Sequence, residues 1–134
     1  MLPNYVHKKL TQQNSTRVLL LNPASIATAP VRCSLVEIVV DSPPEYTALS
    51  YAWDAQQPSC AVECDGGTLL VTSNCLAALQ QLRHHHDTRR LWVDSICIDQ
   101  GSFAERSQQV ARMGDIYKRA AFVIVWLGQG NAAG

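Results

Sequence analysis

The chain has no surplus of charge of either sign: eleven Lys and Arg balance eleven Asp and Glu. A nucleic-acid footprint needs Lys and Arg in excess on one face, so no nucleic-acid partner is expected. No apolar run reaches the ~18 residues that a membrane span requires, so no membrane association is expected. The opening "MLPNYVHKKLTQQNSTR" has no continuous apolar core. It does not read as a signal peptide, and a cytoplasmic location is the default expectation. The five cysteines, Cys33, Cys60, Cys64, Cys75 and Cys97, are odd in number and form no evident disulfide framework. Free, buried thiols are expected in a reducing compartment. A Gly-rich phosphate loop and a G-x-S-x-G elbow are both missing. No internal repeat or low-complexity segment occurs.

Metal binding is not expected either. Cys60 and Cys64 sit four apart in a strand-like stretch, which spreads them by about 13 Å at ~3.3 Å per residue. Two sulfurs on one zinc ion each lie ~2.3 Å from it. His84, His85 and His86 are neighbours, and on a helix their side chains would diverge by about 100° per residue. They read better as the decoration of a helix end.

What is present is one domain's worth of chain, 134 residues and 47% apolar. Residues 1–16 are polar and mixed, and read as a tail. "RVLLL" (17–21) and "VRCSLVEIVV" (31–40) read as strands. Pro43-Pro44 breaks the chain before "YTALSYAW" (46–53), another strand. "CAVECDGGTLLVT" (60–72) reads as a hairpin turning at Asp65-Gly66-Gly67. Ser73 can cap a helix running to about His86, with Cys75, Leu76, Leu79 and Leu82 on one face. "RLWVDSI" (90–96) and "AFVIVWLG" (121–128) read as buried strands. Between them, "SFAE" (102–105) has the form of a capping box. The helix it opens is predicted to turn Phe103, Val110, Met113, Ile116 and Tyr117 inward. Strand–helix–strand–helix–strand order predicts right-handed crossovers and a parallel sheet flanked by helices, with the hairpin inserted.

Three blocks taken together resemble a known family. They are "YTALSYAWD", "LLVTSNCLAALQQLR" and "LWVDSICIDQGSFAERSQQVARMGDIYKRAAFVIVWLG". In this order they resemble the heterokaryon incompatibility (HET) domain of filamentous fungi, most strongly over residues 46–128. The residues that carry the resemblance include Tyr51, Trp53, Trp92, Glu105, Gln109, Tyr117, Trp126 and Gly128. It implies a single α/β domain over 17–134, distantly similar to the Toll/interleukin-1 receptor (TIR) domain, with a TIR- or flavodoxin-like parallel sheet. It also implies a role in allorecognition and programmed cell death. Two departures stand out. Asp54 occupies a position where the family usually has Gly. A second family block, similar to Trp-x-x-Arg-x-Trp-x-x-Gln-Glu, is absent, so the chain reads as the N-terminal part of a HET domain.

The candidate polar site comprises Ser50, Asp94, Asp99, Gln100 and Arg106. Asp94 falls near the carboxyl end of a predicted parallel strand, and Asp99 and Gln100 in the loop beyond, on the rim where open α/β sheets bind ligands. Alternatively, the carboxylates tie strand to loop, because a buried carboxylate must be satisfied. Arg106 is predicted on the apolar stripe of its helix, paired with Asp94 or Asp99; a ligand-binding arginine is the other reading. Glu105 reads as a cap before it reads as a catalytic acid. The tryptophans read as core, with a stacking surface as the alternative. Two functions follow, with a truncated, inactive gene product as the remaining alternative. One is an interaction module that self-associates or binds a protein partner, without a cofactor. The other, implied by the TIR similarity, is NAD cleavage at the nicotinamide–ribose bond. The glutamate for that would lie in the absent block, so no NAD turnover is expected from this chain.

Overall fold

The computed structural model describes residues 2–51 and 56–127. Seven strands form one sheet: β1 (Ser15–Leu21), β2 (Arg32–Val39), β3 (Thr47–Tyr51), β4 (Cys60–Cys64), β5 (Gly67–Val71), β6 (Arg89–Val93) and β7 (Phe122–Trp126). The helices are α1 (Ser73–Leu82), the single turn α2 (Asp94–Cys97) and α3 (Phe103–Arg119). The strand order is β5-β4-β2-β1-β6-β3-β7.

The expected parallel neighbours are present. β3 lies between β6 and β7 and runs parallel to both, with Thr47 opposite Leu91 and Phe122. The whole sheet, however, is mixed rather than parallel. β1 is antiparallel to both β2 and β6, and β4 is antiparallel to β5. Short loops join β1 to β2 and β4 to β5, which permits antiparallel pairing, whereas parallel neighbours need a crossover; the antiparallel contact of β1 with β6 joins strands distant in sequence. The hairpin β4–β5 joins the sheet through a parallel pairing of β4 with β2. Its two-residue turn is Asp65-Gly66, both at positive φ (49° and 78°), as a right-twisted hairpin requires.

Successive strand side chains face opposite ways, and the helices use both faces. Tyr46 donates to the Ile116 carbonyl of α3 (2.5 Å), and Trp92 meets Tyr117 edge to face at 5.4 Å. On the other face, Trp126 Nε1 donates to Asn74 of α1 (3.1 Å). The core between holds Leu19, Leu21, Leu49, Leu79, Leu91, Trp92, Ile96 and Ile116, all fully buried. Each such side chain contributes about 1.5–3 kcal/mol of burial.

Three local expectations need correction. The lead-in is a strap, not a tail. Asn4 bridges Thr68 in parallel, and Pro3 and Tyr5 exchange backbone bonds with Thr68 (2.7 and 2.8 Å). The strap passes so closely that a Cβ on Gly67 would meet the Tyr5 Cα at 3.0 Å. Further on, Glu37 accepts from the Thr11 and Gln12 amides and from Ser15 Oγ (2.6 Å).

Second, α1 is capped by Thr72, whose hydroxyl accepts from the Cys75 amide, and it ends at Leu82. Arg83 caps the helix with extended backbone, and its guanidinium binds the carbonyls of Ile26, Ala27, Ala29 and Pro30. His84–His86 therefore lie in an exposed loop beyond the helix, not on its end. Third, the amino-terminal half of α3 is rotated from the predicted phase. Phe103 (76% exposed) and Val110 (63%) face outward, and Gln109 and Ile116 are its fully buried residues. The inward half-turns are polar, satisfied by β1, so an apolar stripe could not locate them.

Candidate functional site

β3 and β6 finish side by side, and their carboxyl ends open onto a cavity of about 240 Å³. Tyr51, the last residue of β3, forms one wall. Ser95, in the turn α2 directly after β6, forms another. Leu69, Leu70, Val71 and Pro58 supply an apolar side, while Asp99, Gln100, Gly101 and His7 supply a polar rim. The Tyr51 phenol donates to Ser95 Oγ at 2.5 Å. Burial, with the Cys75 thiol beside it, raises the Tyr51 pKa, so the phenol stays a donor.

The rim is built around a buried ion pair that joins four segments. Arg17 of β1 grips Glu105 of α3 with two bonds, Nη1–Oε2 2.7 Å and Nη2–Oε1 2.8 Å. Their side chains are only 4% and 11% exposed. The same guanidinium donates to the Cys97 carbonyl (2.9 Å) and the Lys8 carbonyl of the strap (2.6 Å). Glu105 also accepts the Asp99 amide (2.6 Å). Burial by itself would raise the Glu105 pKa; the Arg17 hydrogen bonds and charge outweigh it and hold the carboxyl below its ordinary value. Burial likewise opposes the Arg17 charge, and the bond to Glu105 more than restores it.

Around this latch the rim residues fall into place. Asp99 Oδ1 accepts from the Gly101 amide (3.0 Å), and the Asp99 carbonyl accepts from Ser102 (3.1 Å). Gln100 Nε2 donates to the Asp94 carbonyl (2.9 Å). His7 Nε2 lies 2.7 Å from the Ile96 carbonyl, which can only accept, so that nitrogen carries the proton. His7 Nδ1 then faces Asp99 Oδ1 at 3.9 Å.

The cavity thus gathers Asp99, Gln100 and Tyr51 of the residues expected from sequence. Asp94 opens α2, half-buried, and with Ser50 lies outside the lining. Burial, and after it the Asp94 charge, raises the Tyr117 phenol. Arg106 does not pair with either aspartate. It is exposed on the outer side of α3, 6.0 Å from the Phe103 ring. The buried guanidinium is Arg17 instead. Glu105 is only half of a capping box. Ser102 Oγ accepts the Glu105 amide (3.2 Å), but the carboxylate goes to Arg17 and Asp99. Trp92 is core, its Nε1 donating to Thr16 Oγ1 (3.0 Å). Gln109 Nε2 donates to the Ser15 carbonyl (2.8 Å), while its buried Oε1 has no donor among the described residues. Trp53 and Gly128 lie outside the described residues.

Sequence reading missed His7, Ser95 and Arg17. A charge opening the apolar run "RVLLL" was the one available signal, since Arg17, Leu19 and Leu21 share a face. The nearby thiols are inert: burial raises Cys75 to about 11 and Cys97 to about 12. The His7 Nε2 proton is committed to a backbone carbonyl. No helix among the described residues is long and apolar enough to cross a membrane.

Comparison with known proteins agrees with the residues that carry the resemblance. A family model described as "Heterokaryon incompatibility protein (HET)" matches residues 46–134. A curated protein of Neurospora crassa, "Heterokaryon incompatibility protein 6, OR allele", is 39% identical over 125 residues. That match covers 84% of this chain and 18% of the relative, so the chain spans under a fifth of that relative's length. No solved structure matches. Family model and relative agree: the chain belongs to the heterokaryon incompatibility (HET) family.

Proposed function

We propose that this chain is the recognition module of a fungal incompatibility protein, acting in the cytoplasm through self-association or a protein partner. Its output is allorecognition coupled to programmed cell death. The observation that carries the reading is the surface along β7. Among the described residues β3 is its one strand neighbour. Phe122, Val123, Val125 and Leu127 are 70%, 48%, 62% and 91% exposed. Val123, Val125 and Leu127 share one side and Phe122 the other, and apolar side chains exposed along a sheet edge that is free among the described residues favour pairing with another chain. Expression of the chain in a filamentous fungus tests the role. Growth arrest or death that is lost in Val123→Lys/Val125→Lys supports it; arrest unaffected by those changes contradicts it.

A TIR-like relationship is the deeper part of this reading, supported by the parallel trio β6–β3–β7 with helices on both faces. The enzymatic alternative, NAD cleavage, needs a carboxylate against the ribose. The cavity offers Asp99 alone, while Glu105 is locked to Arg17. We expect no nicotinamide release, measured by chromatography, from this chain. Release that disappears in Asp99→Ala would promote the enzyme.

A further inference from the structure

The sheet pairs two cysteines directly. β2 and β4 run parallel with Cys33 opposite Cys64. Direct partners carry their side chains on the same face, and neighbouring strands lie about 4.7–4.9 Å apart. A disulfide needs Cα atoms about 4.4–6.8 Å apart, so the backbone already holds this pair at bonding range. No other two cysteines are strand partners among the described residues. Both thiols are free and buried.

The strap covers them. Cys64 is also the partner of Gly67 on β5, and a Cβ on Gly67 would meet the Tyr5 Cα at 3.0 Å. The strap therefore crosses the face on which both sulfurs lie. Burial, and then the Cys64 sulfur, raise the Tyr5 phenol to about 12, which agrees with a ring packed beside the pair. Backbone bonds of Pro3 and Tyr5 to Thr68 hold the strap here. The seam beneath is thin: β2 and β4 share two paired positions, Arg32 with Glu63 and Cys33 with Cys64.

We infer that Cys33 and Cys64 form a reversible disulfide when the strap lifts and hydrogen peroxide reaches them. One thiolate of the pair attacks the peroxide; the O–O bond breaks, hydroxide leaves, and that sulfur becomes a sulfenic acid. The second sulfur gives up its proton and attacks the first, forming the S–S bond and expelling a second hydroxide. The hydroxides take up the two thiol protons. Two thiols thus lose two electrons, and one peroxide is reduced to two waters. The neighbouring Cys64, and then burial, raise the Cys33 pKa, so the covered pair is slow to ionise and opening of the strap sets the rate. The bond staples the β4–β5 hairpin to the rest of the sheet.

The test treats the chain with hydrogen peroxide, alkylates it under denaturing conditions, digests it and identifies linked peptides by mass spectrometry. The inference predicts a Cys33–Cys64 link as the main product, removed by dithiothreitol, with Cys75 and Cys97 alkylated. Tyr5→Ala, which uncovers the pair, forms the link several-fold faster. Glu37→Gln, which loosens the strap at its other anchor and leaves Tyr5 in place, also speeds it. Cys60→Ser leaves the yield unchanged. All thiols recovered alkylated in the parent and both strap variants, links scattered over the five cysteines, or a rate equal to the parent's in both strap variants would overturn the inference.

Discussion

The two outer edges of the sheet are treated in opposite ways. At β5 the chain covers its own edge: the strap pairs Asn4 with Thr68, and Gly67 leaves room for the Tyr5 backbone. At β7 the edge is bare among the described residues and carries Phe122, Val123, Val125 and Leu127 into solvent. An exposed edge strand is a liability unless it is blunted or used. The protein blunts one with a segment anchored by polar bonds to Glu37, Ile96 and Arg17. It leaves the other apolar. Under the proposed function, the bare edge is the surface on which another chain would pair.

The comparison breaks most completely at the latch. Arg17→Ala or Glu105→Ala strands one charge in a buried site, which destabilises by about 3–5 kcal/mol. It also frees the strap at Lys8 and the rim at Asp99. Urea unfolding measures this. Arg106→Ala, on the outside of the same helix, stays within about 0.5 kcal/mol of the parent. Equal effects of the two arginine changes would mean that the latch is misplaced.

Acid weakens the covered edge by a route the bare edge lacks. Burial raises the Glu37 carboxyl, but bonds from Ser15, Gln12 and Thr11 outweigh this and lower it to about 2, against an ordinary 4.5. A carboxylate depressed on folding stabilises the protein above its ordinary value. That contribution fades as pH falls below about 4.5 and is lost by about 2. Glu105 is shifted in the same direction. Amide exchange in residues 11–15 should therefore accelerate over this window before the core strands open. In Glu37→Gln the acceleration flattens.

A smaller effect than at the latch is expected at Gln109. Its Oε1 is an unmet buried acceptor, and the Ser15 carbonyl it serves also receives Arg112 Nη1 (2.9 Å). Gln109→Met removes a bond that has a substitute and an orphan that has a penalty. The change should fall within about 1 kcal/mol, because these opposing contributions are of similar size. Thermal unfolding checks it.

Much of the parallel half was legible in sequence. "LWV", "TALSY" and "FVIVW" are short apolar runs whose strand character survives any neighbour, and the helices between them dictate crossovers. The hairpin was legible because Asp65-Gly66 has only one common use between two β-rich arms. The strap was not, since its fastening is through backbone bonds and a distant Glu37, which leave no pattern in residues 2–14. The phase of α3 misled for a related reason. Phe103 and Val110 look like core in a list of hydropathies, yet Glu105 and Gln109 are inward because β1 offers Arg17 and the Ser15 carbonyl. Of the candidate site, Asp99 and Gln100 followed from the carboxyl-end rule. His7 arrives from 92 residues away in sequence (99 − 7) and only the fold brings it to Asp99.

Sedimentation velocity across a concentration series tests the unequal edges most directly. The account predicts that the parent chain self-associates as concentration rises. It predicts that Val123→Lys/Val125→Lys becomes monomeric with its unfolding temperature preserved, because those side chains are exposed. A parent chain that stays monomeric throughout, or a variant that associates equally well, would contradict the claim that β7 is the interaction edge.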